Sequence, residues 1–331
     1  LNRNCASALE AVNQAAKSVA VGEGVCFIGG GVESMSRAPW AMAKPERVPT
    51  NRPPEIWDTT VGWRFNNPKM DALYPIVSLG ETAENVAREM QISRADQDAY
   101  AMESQRRAVA AMNAGRFNDE IIAVEVPQRR GPPAVVDVDE HPRCRRGNGG
   151  YELTTTLDDL AKLEPAFKKD GTVTAGNSSG INDGAAALLI MERAQAESRG
   201  LKPLLRWAGS SAAGVDPGLM GLGPVPATHK LLGRLGLSID DIGLVELNEA
   251  FAAQTLGCMR QLGLRHDITN VNGGAIALGH PTGCSGARIL VTLMHEMKRR
   301  APREKRPFYG LATLCVGVGM GVSTVVEWIG D

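Results

Sequence analysis

The sequence repeats one pattern near its two ends, and that repetition limits the folds open to it. In the opening "LNRNCASALEAV", Leu9, Val12, Ala16 and Val19 recur at helical spacing, and "VCFIGGGVESMS" follows as a short apolar strand ended by glycines. Near the other end, "GHPTGCSGARILVTLMHEMKRR" puts Leu290, Leu293, Met294 and Met297 on one helical face, and "FYGLATLCVGVGMGVSTVVEW" supplies strands broken by glycines. Between them "PLLRWAGSSAAGV", "IGLVELNEA" and "ITNVNGGAIAL" read as strands separated by helical stretches, which predicts α/β layering. The second copy is the fuller one. About eighty residues separate Leu204 from Cys284, whereas four precede Cys5, so matched halves imply roughly eighty further residues with about three strands ahead of Cys5.

Between the copies the texture changes, rich in Pro, Arg and Asp with isolated helices. "ETAENVAREMQ" sets Ala83, Val86, Ala87 and Met90 on one stripe, and "SRADQDAYAMESQRRAVAAMNAG" opens with a capping-box pattern, Ser93 to Asp96, and closes at Gly115. "INDGAAALLIM" reads as a strand returning to the first half's sheet, and "HPRCRRGNGG" as an exposed loop. The expected division is 1–37 for a first-half remnant, 38–180 for an inserted loop or lid domain, 181–200 for the return strand and helix, and 201–331 for the second half.

With 36 basic and 37 acidic residues the chain has no global field for nucleic acid or an acidic membrane, so any anion is bound locally. No apolar run reaches the 18 or so residues of a membrane span. Six cysteines without a CxxC pair form neither a disulfide framework nor a zinc site, and a reducing cytoplasm is the expected setting. No Walker-type sequence or strand-to-helix GxGxxG is present, which disfavours ATP and nicotinamide chemistry.

Cys5 opens a helix, where the dipole and unpaired backbone N–H groups stabilise a thiolate; the alternative is a small buried cysteine. His280 stands where an expected strand hands over to a glycine-opened helix, a place for either a packing group or a general base. Cys315 is followed by glycines whose N–H groups suit an oxyanion hole, against a structural role like that expected for Cys26 and Cys258. Cys284 rivals Cys5, since it too opens a helix close to His280, and Cys144 reads as a loop thiol. Asn248, after an apolar strand, could simply cap a helix. "VTAGNSSGINDGAA" could lie against a long, narrow ligand or be a plain turn.

Taken in order, "NRNCASALEAV", "FKKDGTVTAGNSSGINDGAA", "ELNEAFAAQ", "NVNGGAIALGHPTGCSGAR" and "LCVGVGMGV" resemble the thiolase family of CoA-dependent acyltransferases over essentially the whole chain. The resemblance implies two similar five-stranded halves layered α-β-α-β-α with an inserted loop domain, the first half incomplete here. It also implies Cys5 as acyl-accepting nucleophile, His280 as its activating base, and Cys315 as the group that moves the proton on the attacking or leaving carbon. Two anion holes follow: His280 with a water held by Asn248, and the backbone N–H groups of Cys5 and Gly317. The pantetheine arm of CoA would lie along the loop at Ser179, near Ala250 and Phe251, with Arg143 toward the nucleotide end. "CRRGNGGYE" looks inserted directly after Arg143.

CoA and its thioesters are then the cosubstrates and partners, with no metal or redox cofactor, and the family's dimers or tetramers imply self-association. "DTTVGWRFNNPKM" and "LGETAENVA" are similar to thiolases acting on 3-oxoadipyl-CoA, and Ser78 stands where acetoacetyl-CoA thiolases carry histidine. The rival readings are a condensing acetoacetyl-CoA thiolase, a decarboxylating ketoacyl synthase, which has histidine in place of Cys315, and a non-catalytic protein with inherited motifs.

Overall fold

The computed structural model describes residues 1–45, 53–74, 76–304 and 307–330; parts of the expected 38–180 and 201–331 divisions lie outside these. The elements that position the site are α1 (Ser7–Ala20), β1 (Cys26–Ser34), α2 (Leu79–Glu89), α3 (Arg94–Asn113), β2 (Asp183–Met191), β3 (Leu205–Gly214), α4 (Pro224–Leu235), β4 (Ile242–Leu247), α5 (Ala252–Leu262), α6 (Thr282–Arg300), β5 (Tyr309–Val316) and β6 (Met320–Trp328).

The repeated pattern becomes a repeated unit. In the first half α1 leads into β1, which pairs antiparallel with β2; in the second α6 leads into β5, which pairs antiparallel with β6. The second sheet has the order β4-β5-β6-β3, with β4 and β5 parallel. Helices α1 and α6 pack on each other between the two sheets, and α4 covers the far face of β3 and β6. Leu9, Ile289, Leu293 and Met297 are fully buried in this middle layer, each contributing about 1.5–3 kcal/mol of apolar burial.

The glycines of "FIGGGVES" do not end β1 as expected; they lie inside it. A Cβ on Gly29 would sit 2.8 Å from the Val12 backbone, and one on Gly31 would sit 1.9 Å from the Gly283 carbonyl oxygen. The strand is thin where two helices cross it. Its other face leaves Ile28 and Val32 exposed. Cys26 is also exposed, which corrects the expectation of a buried structural cysteine.

The five strands expected of the second half are corrected as well. Among the described residues the second sheet has four strands and the first has two. "ITNVNGG" makes only an isolated bridge, Thr269 to Val245, before a short helix at Ala275–Leu278. Positive φ at Asn270 (47°) and Gly273 (80°) breaks the extended run. The Asn270 side chain takes over the ladder's role: its Oδ1 accepts from Leu247 N at 2.9 Å and its Nδ2 donates to Leu247 O at 2.8 Å.

Both expected helices of the inserted segment form. Ser78 and Ser93 each close a capping box, with Glu81 and Asp96, and α2 and α3 dock on α5 of the second half. "HPRCRRGNGG" is not an open loop: Cys144–Gly147 and Gly150–Leu153 pair as a hairpin around Asn148-Gly149, a dipeptide suited to a two-residue turn. Among the described residues no helix is long and apolar enough to cross a membrane.

Candidate active site

Parallel pairing of β4 and β5 brings their C-terminal ends to one edge of the sheet, where open α/β sheets place their sites. Asn248 follows β4, its N–H donating to Thr313 O on β5 at 3.0 Å, and Cys315 lies two residues further along β5. Both are 1% exposed, which excludes a merely solvated role. Cys315 packs with Leu79, Met220, Ala250 and Phe251. Burial pushes its thiol well above the ordinary cysteine range, and the nearby Cys5 raises it further.

Cys5 sits on a single helical turn, Asn4–Ala6, that runs into α1. Asn4 holds a left-handed φ of 46°, a conformation Asn tolerates better than most residues. Burial pushes the Cys5 thiol up, and the backbone N–H groups of Gly317 and of Cys5 itself pull it back. Those are the two groups expected of the backbone hole, here directed at the sulfur. Cys5 and Gly317 line a cleft of about 830 Å³ together with Thr282 and Gly283, the start of the helix that follows His280.

His280 is buried, and burial followed by the Arg288 charge holds its imidazole down to about 4, so the ring is neutral near pH 7. Ser285 Oγ donates to the Pro281 carbonyl at 2.9 Å and lies 2.6 Å from His280 Nδ1. With its proton committed, that hydroxyl accepts from Nδ1–H, which leaves a lone pair on Nε2. Asn248 Nδ2 lies 3.4 Å from Nε2, and Asn248 Oδ1 is buried without a hydrogen-bond partner among the described residues, an acceptor left for solvent or substrate.

Two residues that the sequence reading missed hold this arrangement. Ser285 fixes the tautomer. Glu33, at the end of β1, accepts from Thr282 Oγ1 at 2.7 Å and Gly283 N at 3.0 Å, so a first-half carboxylate caps the helix behind His280. Local sequence carries no signal for Glu33, because its partners lie some 250 positions away. The rival Cys284 is buried beside β2, with its thiol pushed to about 11, and does not line the cleft.

The expected CoA contacts are also brought together. Ser179 N–H and Oγ both reach Ala250 O, at 3.0 and 3.1 Å, and Ser178 bridges to Phe251. Arg143 contacts the same loop through Ala175 O at 3.3 Å. Glu249, beside Asn248, is fully buried and structural: it accepts from Tyr100 Oη, Ser104 Oγ, Asn270 Nδ2 and Ile276 N.

Residues 1–194 match the family model for the thiolase N-terminal domain and 201–328 that for the thiolase C-terminal domain. The chain is 49% identical over 329 residues to the beta-ketoadipyl-CoA thiolase of Pseudomonas aeruginosa, which covers 99% of this chain and 78% of that protein. It is 49% identical over 327 residues to an acetyl-CoA acetyltransferase of Chromobacterium violaceum, covering 99% of this chain and 79% of that one. The crystal structure of Bacillus anthracis acetyl-CoA acetyltransferase is similar with a TM-score of 0.88 at 40% identity, over 99% of this chain and 78% of that one. Fold and matches together define an acyltransferase enzyme. The chain belongs to the thiolase family.

Proposed function

We propose that the protein is a 3-oxoacyl-CoA thiolase that cleaves a short substrate of the 3-oxoadipyl-CoA kind into acetyl-CoA and a shortened acyl-CoA. The observation that carries this reading is the neutral His280, whose unprotonated Nε2 faces Asn248 Nδ2 at 3.4 Å, at the sheet edge that also carries Cys315. His280 Nε2 takes the Cys5 proton as the sulfur attacks the C3 carbonyl, and the C2–C3 bond then breaks. Cys315 donates its proton to C2 of the departing acetyl-CoA enolate, leaving an acyl thioester on Cys5. Incoming CoA gives its thiol proton to the Cys315 thiolate and attacks that thioester. The shortened acyl-CoA leaves, and the Cys5 sulfur recovers the proton held on His280.

Each anion has its donors. Gly317 N–H and Cys5 N–H face the charge that develops at Cys5, and His280 with a water held by Asn248 faces the enolate oxygen. Ser179, Ala250 and Phe251 would receive the pantetheine arm and Arg143 the nucleotide end. CoA serves as cosubstrate, with no metal or redox cofactor, in a cytoplasmic homodimer or homotetramer. Similarity to beta-ketoadipyl-CoA thiolases supports the substrate class, and similarity to an acetyl-CoA acetyltransferase supports acetoacetyl-CoA as the second candidate. Incubation with acetyl-CoA followed by peptide mass spectrometry tests the reading. An acetyl group on Cys5, absent from Cys5→Ala, is expected; an unmodified Cys5 in folded protein contradicts it.

A further inference from the structure

We propose, resting on the thiolase reading above, that the substrate's acyl tail enters a second cavity of about 200 Å³, where Asn66, Asn67 and Tyr74 select a tail ending in a carboxylate. The cavity adjoins both cysteines. Trp63 and Leu79 line it and also line the Cys5 cleft. Met220, another wall residue, packs with Leu79 in the cluster around Cys315. A chain extending from a carbonyl held at Cys5 therefore has this cavity as its continuation. Its volume falls below the 300–1,000 Å³ or so of pockets for drug-sized ligands, which suits a tail of a few carbons.

The chemistry of the wall sets the tail's end. Trp63, Met70, Leu79 and Met220 are apolar over most of their surface, and among the described residues no Lys or Arg lines the cavity. The donors come from one segment. Asn67 Oδ1 accepts from Lys69 N at 3.0 Å, which commits its oxygen and leaves its amide N–H groups available. The side chains of Asn66 and Tyr74 make no hydrogen bond among the described residues. Two amides and a phenol can satisfy a carboxylate without a cation, as neutral donors lower the cost of the charged form. Trp63 is 39% and Tyr74 44% exposed, so the outer wall is open and the carboxylate keeps part of its hydration. A methyl-ended tail of equal length would cover these donors without bonding them, the arrangement by which a polar site rejects an apolar analogue.

The test compares kcat/KM for 3-oxoadipyl-CoA with that for 3-oxohexanoyl-CoA, which has the same chain length and a methyl end, using the whole chain and the variants Asn66→Ala, Tyr74→Phe and their combination. The unsubstituted protein should prefer 3-oxoadipyl-CoA by about ten-fold or more. The double variant should lose that preference through a higher KM for 3-oxoadipyl-CoA, while 3-oxohexanoyl-CoA stays within about two-fold. Equal losses on both substrates, an unchanged preference, or no preference at the outset would overturn the inference and leave the thiolase reading standing. Cleavage of neither thioester by the unsubstituted protein would overturn both.

Discussion

Ser285 Oγ and His280 Nδ1 lie 2.6 Å apart, and because the hydroxyl's own proton is bonded to Pro281 O, the contact assigns the ring its Nδ1–H tautomer. Ser285→Ala removes that assignment without touching the substrate cleft. The expected result is a kcat lower by about ten-fold or more, with a stability loss of about 1–2 kcal/mol. Nitrogen-15 spectra of the His280 ring separate this from a packing defect: the parent should show an unprotonated Nε2, and the variant a mixture.

Stability should depend on pH with opposite signs at two buried groups. Burial and then Arg288 hold His280 at about 4 in the folded chain, against about 6.5 when unfolded. Between these values the unfolded chain binds more protons, so stability falls as pH drops from about 6.5 to about 4, by about 3 kcal/mol in all. Glu246 is pushed to about 8 by burial, with Arg288 opposing. Here the folded chain holds the extra proton, and stability falls as pH rises from about 4.5 to about 8. Urea titrations from acid to alkaline pH should show a shallower acid limb in His280→Gln and a shallower alkaline limb in Glu246→Gln, with Glu120, pushed to about 7 by burial, keeping part of the latter.

Glu249→Ala should be among the most damaging substitutions, because it strands the donors of Tyr100, Ser104, Asn270 and Ile276 in a buried site. A loss of about 3 kcal/mol or more is expected from chemical denaturation. Glu249→Gln should cost less, since it keeps one acceptor oxygen. If the two variants cost the same, the carboxylate is not the organising group.

Gly317→Ala probes the hole beside Cys5. An added Cβ would stand 3.5 Å from Trp63 and 3.7 Å from Leu79, ordinary contacts, and Gly317 needs no left-handed φ. The melting temperature should therefore hold within about 2 °C. The methyl lies between the two residues shared by both cavities, so kcat/KM should fall by about ten-fold or more. Unchanged kinetics would remove Gly317 from the substrate path.

The parts of this fold that local pattern fixes were legible from residues. Helical stripes at Leu9, Val12 and Ala16, the capping serine at 93, and the return strand at 183–191 all stand where expected. Legibility failed where a distant group overrode local grammar. The glycines of β1 read as a stop because the groups that crowd them, Val12 at Gly29 and Gly283 at Gly31, cannot be seen from within the strand. "ITNVNGG" read as a strand because nothing in the heptapeptide shows that Asn270 bonds Leu247 through its side chain. The cysteines and His280 could be picked out by their place at element ends, whereas Glu33 and Ser285, which hold His280 in position, could not.

The close approach of Gly31 to the Gly283 carbonyl joins residues from opposite halves of a duplicated chain, and Gly286 likewise leaves no room for a side chain against Leu9. Once two copies dock this tightly, neither can drift alone. A methyl gained in one copy must be answered by a backbone shift in the other, and the helix that must shift is the one whose first turn follows His280. Sequence change in the first half is thereby disciplined by chemistry carried out in the second.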